Sequence, residues 1–248
     1  MNKRRGRKNM LTSKKQAIKR FDRLWEVEGS KLLSADIKPS IMKNGEIYPV
    51  DYCISTIARL TNQPLGNEII PGIRRTLSGL FKAADTQYIY PDESLHVSLL
   101  GCTQREEYAD VFDQDHINKI KDICIKEIEG KESAEIILKG VGITGNQIFI
   151  QGIPVNRNWE KLRASMNDRL VNNSEHPISY EDKSPVHINI IRIVDANPDC
   201  MILLHKIISQ LRNVELGRMK LKTIDFVITD FCVSKKNVVW LDRIDCND

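Results

Sequence analysis

Leu95-His96-Val97-Ser98-Leu99-Leu100-Gly101 decides how this chain is read, because a second version of it follows as Val186-His187-Ile188-Asn189-Ile190-Ile191-Arg192. Each stretch is a short apolar run carrying a histidine and, two places on, a small hydrogen-bonding residue. Successive side chains of a β-strand leave opposite faces, so residues i and i+2 point together. His96 and Ser98 therefore share a face, and so do His187 and Asn189. Val97, Leu99, Ile188 and Ile190 point the other way, into a core. Two such strands side by side put two imidazoles in one cleft.

A phosphodiester is cleaved when one group takes a proton from the nucleophile and another gives one to the leaving oxygen. Imidazole suits both tasks near neutral pH. The Ser98 hydroxyl and the Asn189 amide can donate to non-bridging phosphate oxygens, where charge builds in the transition state. Each residue also has a plainer reading. A lone strand histidine is more often an interior residue than a catalyst, Ser98 suits a strand for its size, and Asn189 can bond the backbone. The matched setting of the two histidines favours catalysis. By strict alternation Arg192 falls on the face opposite His187, and it reaches a phosphate only if the strand bulges or ends.

The paired motifs resemble the signature of the two-histidine phosphoesterase superfamily, also called LigT-like or RNA 2′,3′-cyclic phosphodiesterase-like. That family carries two His-x-Thr/Ser-hydrophobic motifs, one per lobe. The resemblance runs from about Tyr48 to about Asp245, and the chain departs from the pattern at Asn189, where Thr or Ser is usual. It implies an α+β, bilobal LigT-like fold: two pseudo-symmetric lobes of antiparallel sheet with outer helices around a central cleft, both histidine strands central. It further implies hydrolysis of a 2′,3′-cyclic phosphate or a 2′–5′ linkage by His96 and His187, with Ser98 and Asn189 on the phosphate and no metal or cofactor. The departure at Asn189 supports a rival, a non-catalytic module of the same fold that binds nucleotide or RNA.

The rest of the chain is organised around these strands. Residues 1–23 hold ten basic residues against Asp22 alone, while the whole chain is only +4, so the remainder is net acidic. Residues 1–12 read as a basic disordered tail, either solvated or touching nucleic acid through phosphate contacts. Residues 13–47 read as a helical extension, with Ile18, Phe21, Leu24, Trp25, Leu32 and Leu33 at helical spacing, a possible cap at Ser13, and a place on the outside of the domain. Residues 48–248 form the phosphoesterase-like domain. Within it, strands are expected at 52–58, 87–100, 220–227, 229–233 and 238–243, and a hairpin at 135–141 and 147–153. Helices are expected at 67–82, 106–129, 159–171 and 198–212. A strand–helix–strand group on each side of about residue 145 suggests the two lobes.

The polar stretch 172–185 is a candidate lid, in which Tyr180 and Lys183, beside His176, could frame a base or a phosphate; a solvated connection is the plainer reading. His116 and His205 fall on predicted helices. Gly140, Gly142 and Gly145 punctuate a hairpin. The six cysteines are scattered without a Cys-x-x-Cys, which argues against a disulfide scaffold or a zinc site and for reduced thiols in a cytoplasm. No apolar run reaches the roughly 20 residues of a membrane span. A cytoplasmic monomer that meets nucleotide or RNA is the expectation.

Overall fold

The computed structural model describes residues 14–173, 175, 177, 186–230 and 232–247. The basic residues 1–12, Ser13, His176, Tyr180 and Lys183 lie outside them. Helix α1 covers residues 14–33, with a π-helical turn at Trp25–Gly29. A Cβ at Gly29 would stand 2.9 Å from the Trp25 indole, so this turn needs glycine. Strands β1 (Ile41–Lys43) and β2 (Glu46–Tyr48) form a small separate hairpin, and β3 is Cys53–Arg59. Helices α2 (Gly66–Thr76) and α3 (Ser78–Ala83) replace the single helix expected at 67–82, since the backbone kinks at Leu77. Strands β4 (Tyr88–Ile89) and β5 (His96–Gly101) follow.

Helix α4 is Gln114–Ile128, capped by the Asp113 carboxylate, which accepts from the His116 N–H at 2.7 Å. It starts later than expected because Glu106 pairs with Tyr52 through both backbone bonds, keeping the preceding segment extended. Strands β6 (Ala134–Thr144) and β7 (Gln147–Pro154) make the predicted hairpin, and α5 is Asn158–Asn172. Strand β8 is Val186–Arg192. Helix α6, Pro198–Leu211, opens with Pro198 in its first turn and the Asn197 side chain as cap. Strands β9 (Glu215–Leu221), β10 (Thr223–Thr229) and β11 (Val239–Asp245) complete the described chain. Among the described residues no separate strand forms at 229–233; Thr229 ends β10. Asp230 accepts from the backbone of Cys232 and Ser234 and from the Asn237 amide, and so holds a turn there.

Two antiparallel sheets result, ordered β11-β10-β3-β5 and β4-β8-β7-β6-β9. The fold is the expected bilobal α+β architecture, but residue 145 does not divide the lobes. It is the tip of the β6–β7 hairpin, and the four-stranded sheet draws strands from both ends of the chain. Helices α4 and α5 pack on the four-stranded lobe, and α2 and α6 on the five-stranded lobe. Alternation places Val97, Leu99, Ile188 and Ile190 in the core, each at most 1% exposed. No helix among the described residues is long and apolar enough to cross a membrane, and all six cysteines are free thiols.

Helix α1 is not simply an outer layer. Ile18 and Leu33 are exposed, but Phe21 is buried against Phe149 and Ile153. Phe149 pairs with Asn189 across β7 and β8, and cross-strand partners share a face, so Phe21 packs on the side of the sheet that carries His187.

Candidate active site

The two histidine strands carry the same irregularity at the same place. On β5, His96 faces Arg59 and Ser98 faces Ile57, but Leu100 faces Thr56, which leaves Leu99 without a partner. On β8, His187 faces Gln151 and Asn189 faces Phe149, but Ile191 faces Ile148, which leaves Ile190 without a partner. One extra residue reverses the alternation beyond it. Gly101 therefore returns to the face of His96 and Ser98, and Arg192 to the face of His187 and Asn189. The bulge that Arg192 required is present.

Between the strands lies a cleft of about 240 Å³, lined by His96, Ser98, His187 and Asn189 together with Arg105 and Thr229. Two larger hollows, about 390 and 280 Å³, lie around Glu127 and Lys131 at α4 and α5 and meet no histidine.

His96 is 7% exposed. Its Nδ1 lies 2.7 Å from the Ser94 carbonyl oxygen, which can only accept, so Nδ1 carries the proton and donates. Burial is the main cause that lowers its pKa to about 4, and the nearby His187 and Arg59 push the same way. The ring at neutral pH is thus an uncharged imidazole whose Nε2 holds a lone pair, with its orientation fixed by the carbonyl.

His187 is half-buried, with the Phe149 ring edge-on at 5.3 Å. Two polar atoms of the cleft, Asn189 Oδ1 and Thr229 Oγ1, are buried without a hydrogen-bond partner among the described residues. Buried polar groups are normally paired, so such atoms in a cleft call for a ligand or water. The Ser98 side chain is exposed in the cleft.

Arg192 is 4% exposed, and its Nε and Nη2 donate to the Tyr90 hydroxyl at 3.2 and 3.1 Å. Tyr90 donates in turn to the Cys232 sulfur at 3.5 Å. This chain of contacts ties the five-stranded lobe to the segment after β10, which borders His96 through the Ser94 hydroxyl bonded to the Val233 carbonyl at 2.9 Å.

Sequence reasoning missed two arginines. Arg105 lines the cleft from an exposed position, and partial desolvation lowers its pKa against the pull of Cys53 and Asp51. Arg163 on α5 is 7% exposed, with Nε donating to the Leu99 carbonyl at 2.7 Å and Nη2 to the Ser98 carbonyl at 2.9 Å. Strand β5 ends its sheet, so these outward carbonyls have no neighbouring strand. An unpartnered sheet edge is the only signal that could have found Arg163. His116 and His205 stay outside the cleft. His116 Nε2 meets Glu175 at 2.8 Å, and His205 stacks on Trp25 with ring centroids 5.1 Å apart. Tyr180 and Lys183, named as substrate contacts, lie outside the described residues.

No family model matches the sequence, and no curated protein matches it. Solved structures do match in fold. Escherichia coli LigT complexed with 3′-AMP aligns with a TM-score of 0.55 at 12% identity, over 80% of this chain and 99% of LigT. TT0787 of Thermus thermophilus aligns with a TM-score of 0.52 at 14% identity, over 78% and 97%. A structure described as a phosphoesterase aligns with a TM-score of 0.53 at 10% identity, over 81% and 100%. The chain has the LigT-like fold of the two-histidine phosphoesterases.

Proposed function

We propose that this chain is a metal-independent phosphodiesterase acting on nucleotides or RNA ends, opening a 2′,3′-cyclic phosphate or cleaving a 2′–5′ linkage. The observation that carries the proposal is the matched pair of bulged strands with His96 and His187 on one cleft. The nucleotide held by E. coli LigT, 3′-AMP, supports the substrate class.

The asymmetry of the two rings supports a division of roles. His96 is neutral with its Nε2 lone pair available, which suits a general base. It takes the proton of an attacking water, or of the 3′-hydroxyl beside a 2′–5′ linkage, as the new P–O bond forms. The opposite P–O bond breaks, and His187 gives its proton to the leaving oxygen. Burial disfavours a charged His96, and the phosphate anion between the rings offsets that cost as the proton arrives. Ser98 and Asn189 donate to the equatorial oxygens, and Arg105 adds positive charge at the rim of the cleft. Asn189 carries both a donor and an acceptor at its tip, and a half-turn of the amide exchanges the unpartnered Oδ1 for the NH₂.

The basic residues 1–23 serve affinity for longer substrates. Their support is charge and location: the helix that follows the tail sets Phe21 on Phe149, next to His187. Deleting residues 1–12 flattens the salt dependence of RNA binding and leaves mononucleotide cleavage unchanged.

The test is turnover against 2′,3′-cyclic nucleotides, 2′–5′ dinucleotides and short RNAs, with and without EDTA. Cleavage of one class that resists chelation is expected. Binding without cleavage across the panel favours the second reading, a binding module whose catalysis lapsed with Asn189.

A further inference from the structure

The cleft-facing side of the four-stranded sheet continues past the histidine cleft. Cross-strand pairing carries it outward in two rows, Ser55–Val227–Trp240 and Ile57–Asp225–Arg243. A bulge that leaves Leu241 without a partner turns both Trp240 and Arg243 to this face. Trp240 is 41% exposed. The Arg59 guanidinium lies 4.5 Å from its ring centroid, and that of Arg243 5.3 Å away.

Beneath the indole, Asp225 is fully buried. It accepts from the Asn62 amide at 2.7 Å and the Arg243 Nε at 3.4 Å, and stands 3.9 Å from the Arg59 Nε. A buried carboxylate is costly unless it is paired; here it holds two cations against one ring. Two guanidinia against one carboxylate leave the cluster net positive. Nε and Nη2 of Arg59 are buried and make no hydrogen bond, so this guanidinium is not saturated by the protein. The cluster adjoins the site, because Arg59 is the cross-strand partner of His96.

An exposed tryptophan alone means little. One set on a sheet face, backed by cations and next to a phosphate-handling cleft, has the makeup of a single-strand binding surface, where bases stack on aromatic rings and cations track the backbone. Trp240 stands two strand spacings from Ser55 in the cleft wall, roughly 10 Å. Val233 and Val238 cover Ile57 and Val227 between them. The path from cleft to indole therefore runs over the outside of residues 232–238, where Lys235 and Lys236 are exposed.

We propose that Trp240, with Arg243 and Arg59, is a stacking subsite for a second nucleotide, and that the substrate is an oligonucleotide rather than a mononucleotide. The inference rests on the phosphodiesterase reading of the cleft. The experiment compares wild type, Trp240→Ala, Trp240→Phe and Arg243→Ala on a 2′,3′-cyclic mononucleotide and on a trinucleotide ending in a 2′,3′-cyclic phosphate. Binding of an uncleavable trinucleotide is measured alongside by fluorescence anisotropy. Trp240→Ala is expected to raise KM for the trinucleotide about tenfold, the scale of losing one base–aromatic stack. Mononucleotide kinetics stay within about twofold, and Trp240→Phe keeps most of the affinity. Equal effects on both substrates, or an unchanged trinucleotide KM, overturn the subsite. If no substrate turns over, the anisotropy decides. Weaker trinucleotide binding by Trp240→Ala keeps the subsite while the catalytic reading falls, and unchanged binding removes the subsite too.

Discussion

Strands β5 and β8 share a histidine, a polar residue two places on and a bulge at the third position, yet their surroundings differ at every point. Strand β5 ends its sheet, while β8 is covered by the two residues of β4. His96 is buried and hydrogen-bonded to a carbonyl, whereas His187 is half-buried beside a phenyl edge. Beyond the bulge the first strand presents Gly101, and the second presents Arg192. A pseudo-symmetric frame thus holds two unlike imidazoles, and in-line displacement needs two unlike roles. The frame brings both rings to one cleft; burial, not symmetry, holds His96 neutral.

The largest expected effect comes from removing either half of the pair. His96→Ala and His187→Ala each lower turnover roughly 10²-fold or more. The assignment of His96 as base sharpens this. The acid limb of kcat/KM reports the free enzyme, so it falls near pH 4, where His96 titrates, and not near the ordinary imidazole value of about 6.5. An acid limb near neutral pH would break the assignment, and a fully active single variant would break the pairing.

The next effect lies at the polar positions, Ser98 against Asn189. If Asn189 donates to phosphate, Asn189→Ala costs about 2–4 kcal/mol of transition-state stabilisation, the scale of one oxyanion donor. Asn189→Thr retains much of the activity, because a donor remains on the same face. A sharp rise in turnover for Asn189→Thr over an inert wild type would mean that the second strand has lost catalysis. No change for Asn189→Ala would remove Asn189 from the phosphate site.

What the sequence made legible was the part that depends on alternation. The shared face of His96 with Ser98, and of His187 with Asn189, follows from period two, as do the buried Val97 and Ile188. The bulges were not legible, because Leu99 and Ile190 sit within apolar runs where an unpaired residue looks like any other. Parity beyond them was misread for that reason, and Arg192 was set on the wrong face unless a bulge intervened. Strands β4 and β5 are close in sequence, yet they belong to different sheets, since pairing is decided by distant partners. Charged residues on a predicted helix read as solvated, so Arg163 gave no hint that it turns inward to a strand edge. Trp240 and Arg243 reach one face only through a third bulge.

The buried state of His96 also has a stability consequence. The folded pKa of about 4 lies below the unfolded value. Between roughly pH 4 and 6.5 the unfolded chain therefore holds a proton on this ring that the native state lacks. This contribution is fully present above about pH 6.5 and is lost as pH falls toward 4, up to about 3 kcal/mol in all. Denaturant unfolding of wild type and His96→Asn across this range should converge toward acid pH by that order. Parallel curves would mean that His96 is not held neutral by the fold.

The smallest effect tests why β5 can sit at a sheet edge at all. Strand β4 bonds the outer side of β8, whereas the outer side of β5 meets, among the described residues, the Arg163 guanidinium, bonded to the Ser98 and Leu99 carbonyls at the bulge. Arg163 does not line the cleft, so it acts by positioning the backbone under Ser98 and His96. Hydrogen bonds from a charged donor contribute roughly 1.5–3 kcal/mol, and part of that loss appears as misplacement of the strand that carries His96. Arg163→Lys keeps a cation but gives up the planar fork. It is expected to lower kcat about tenfold with KM nearly unchanged, because the phosphate donors remain while the base drifts. Arg163→Met, of similar length and without charge, should lower kcat further and destabilise the fold by about 2 kcal/mol. Steady-state kinetics beside denaturant unfolding separates the two roles. A loss of stability with kcat intact would make Arg163 a packing residue only. A kcat loss in Arg163→Lys that exceeds its stability loss would mark the strand edge as part of the catalytic apparatus.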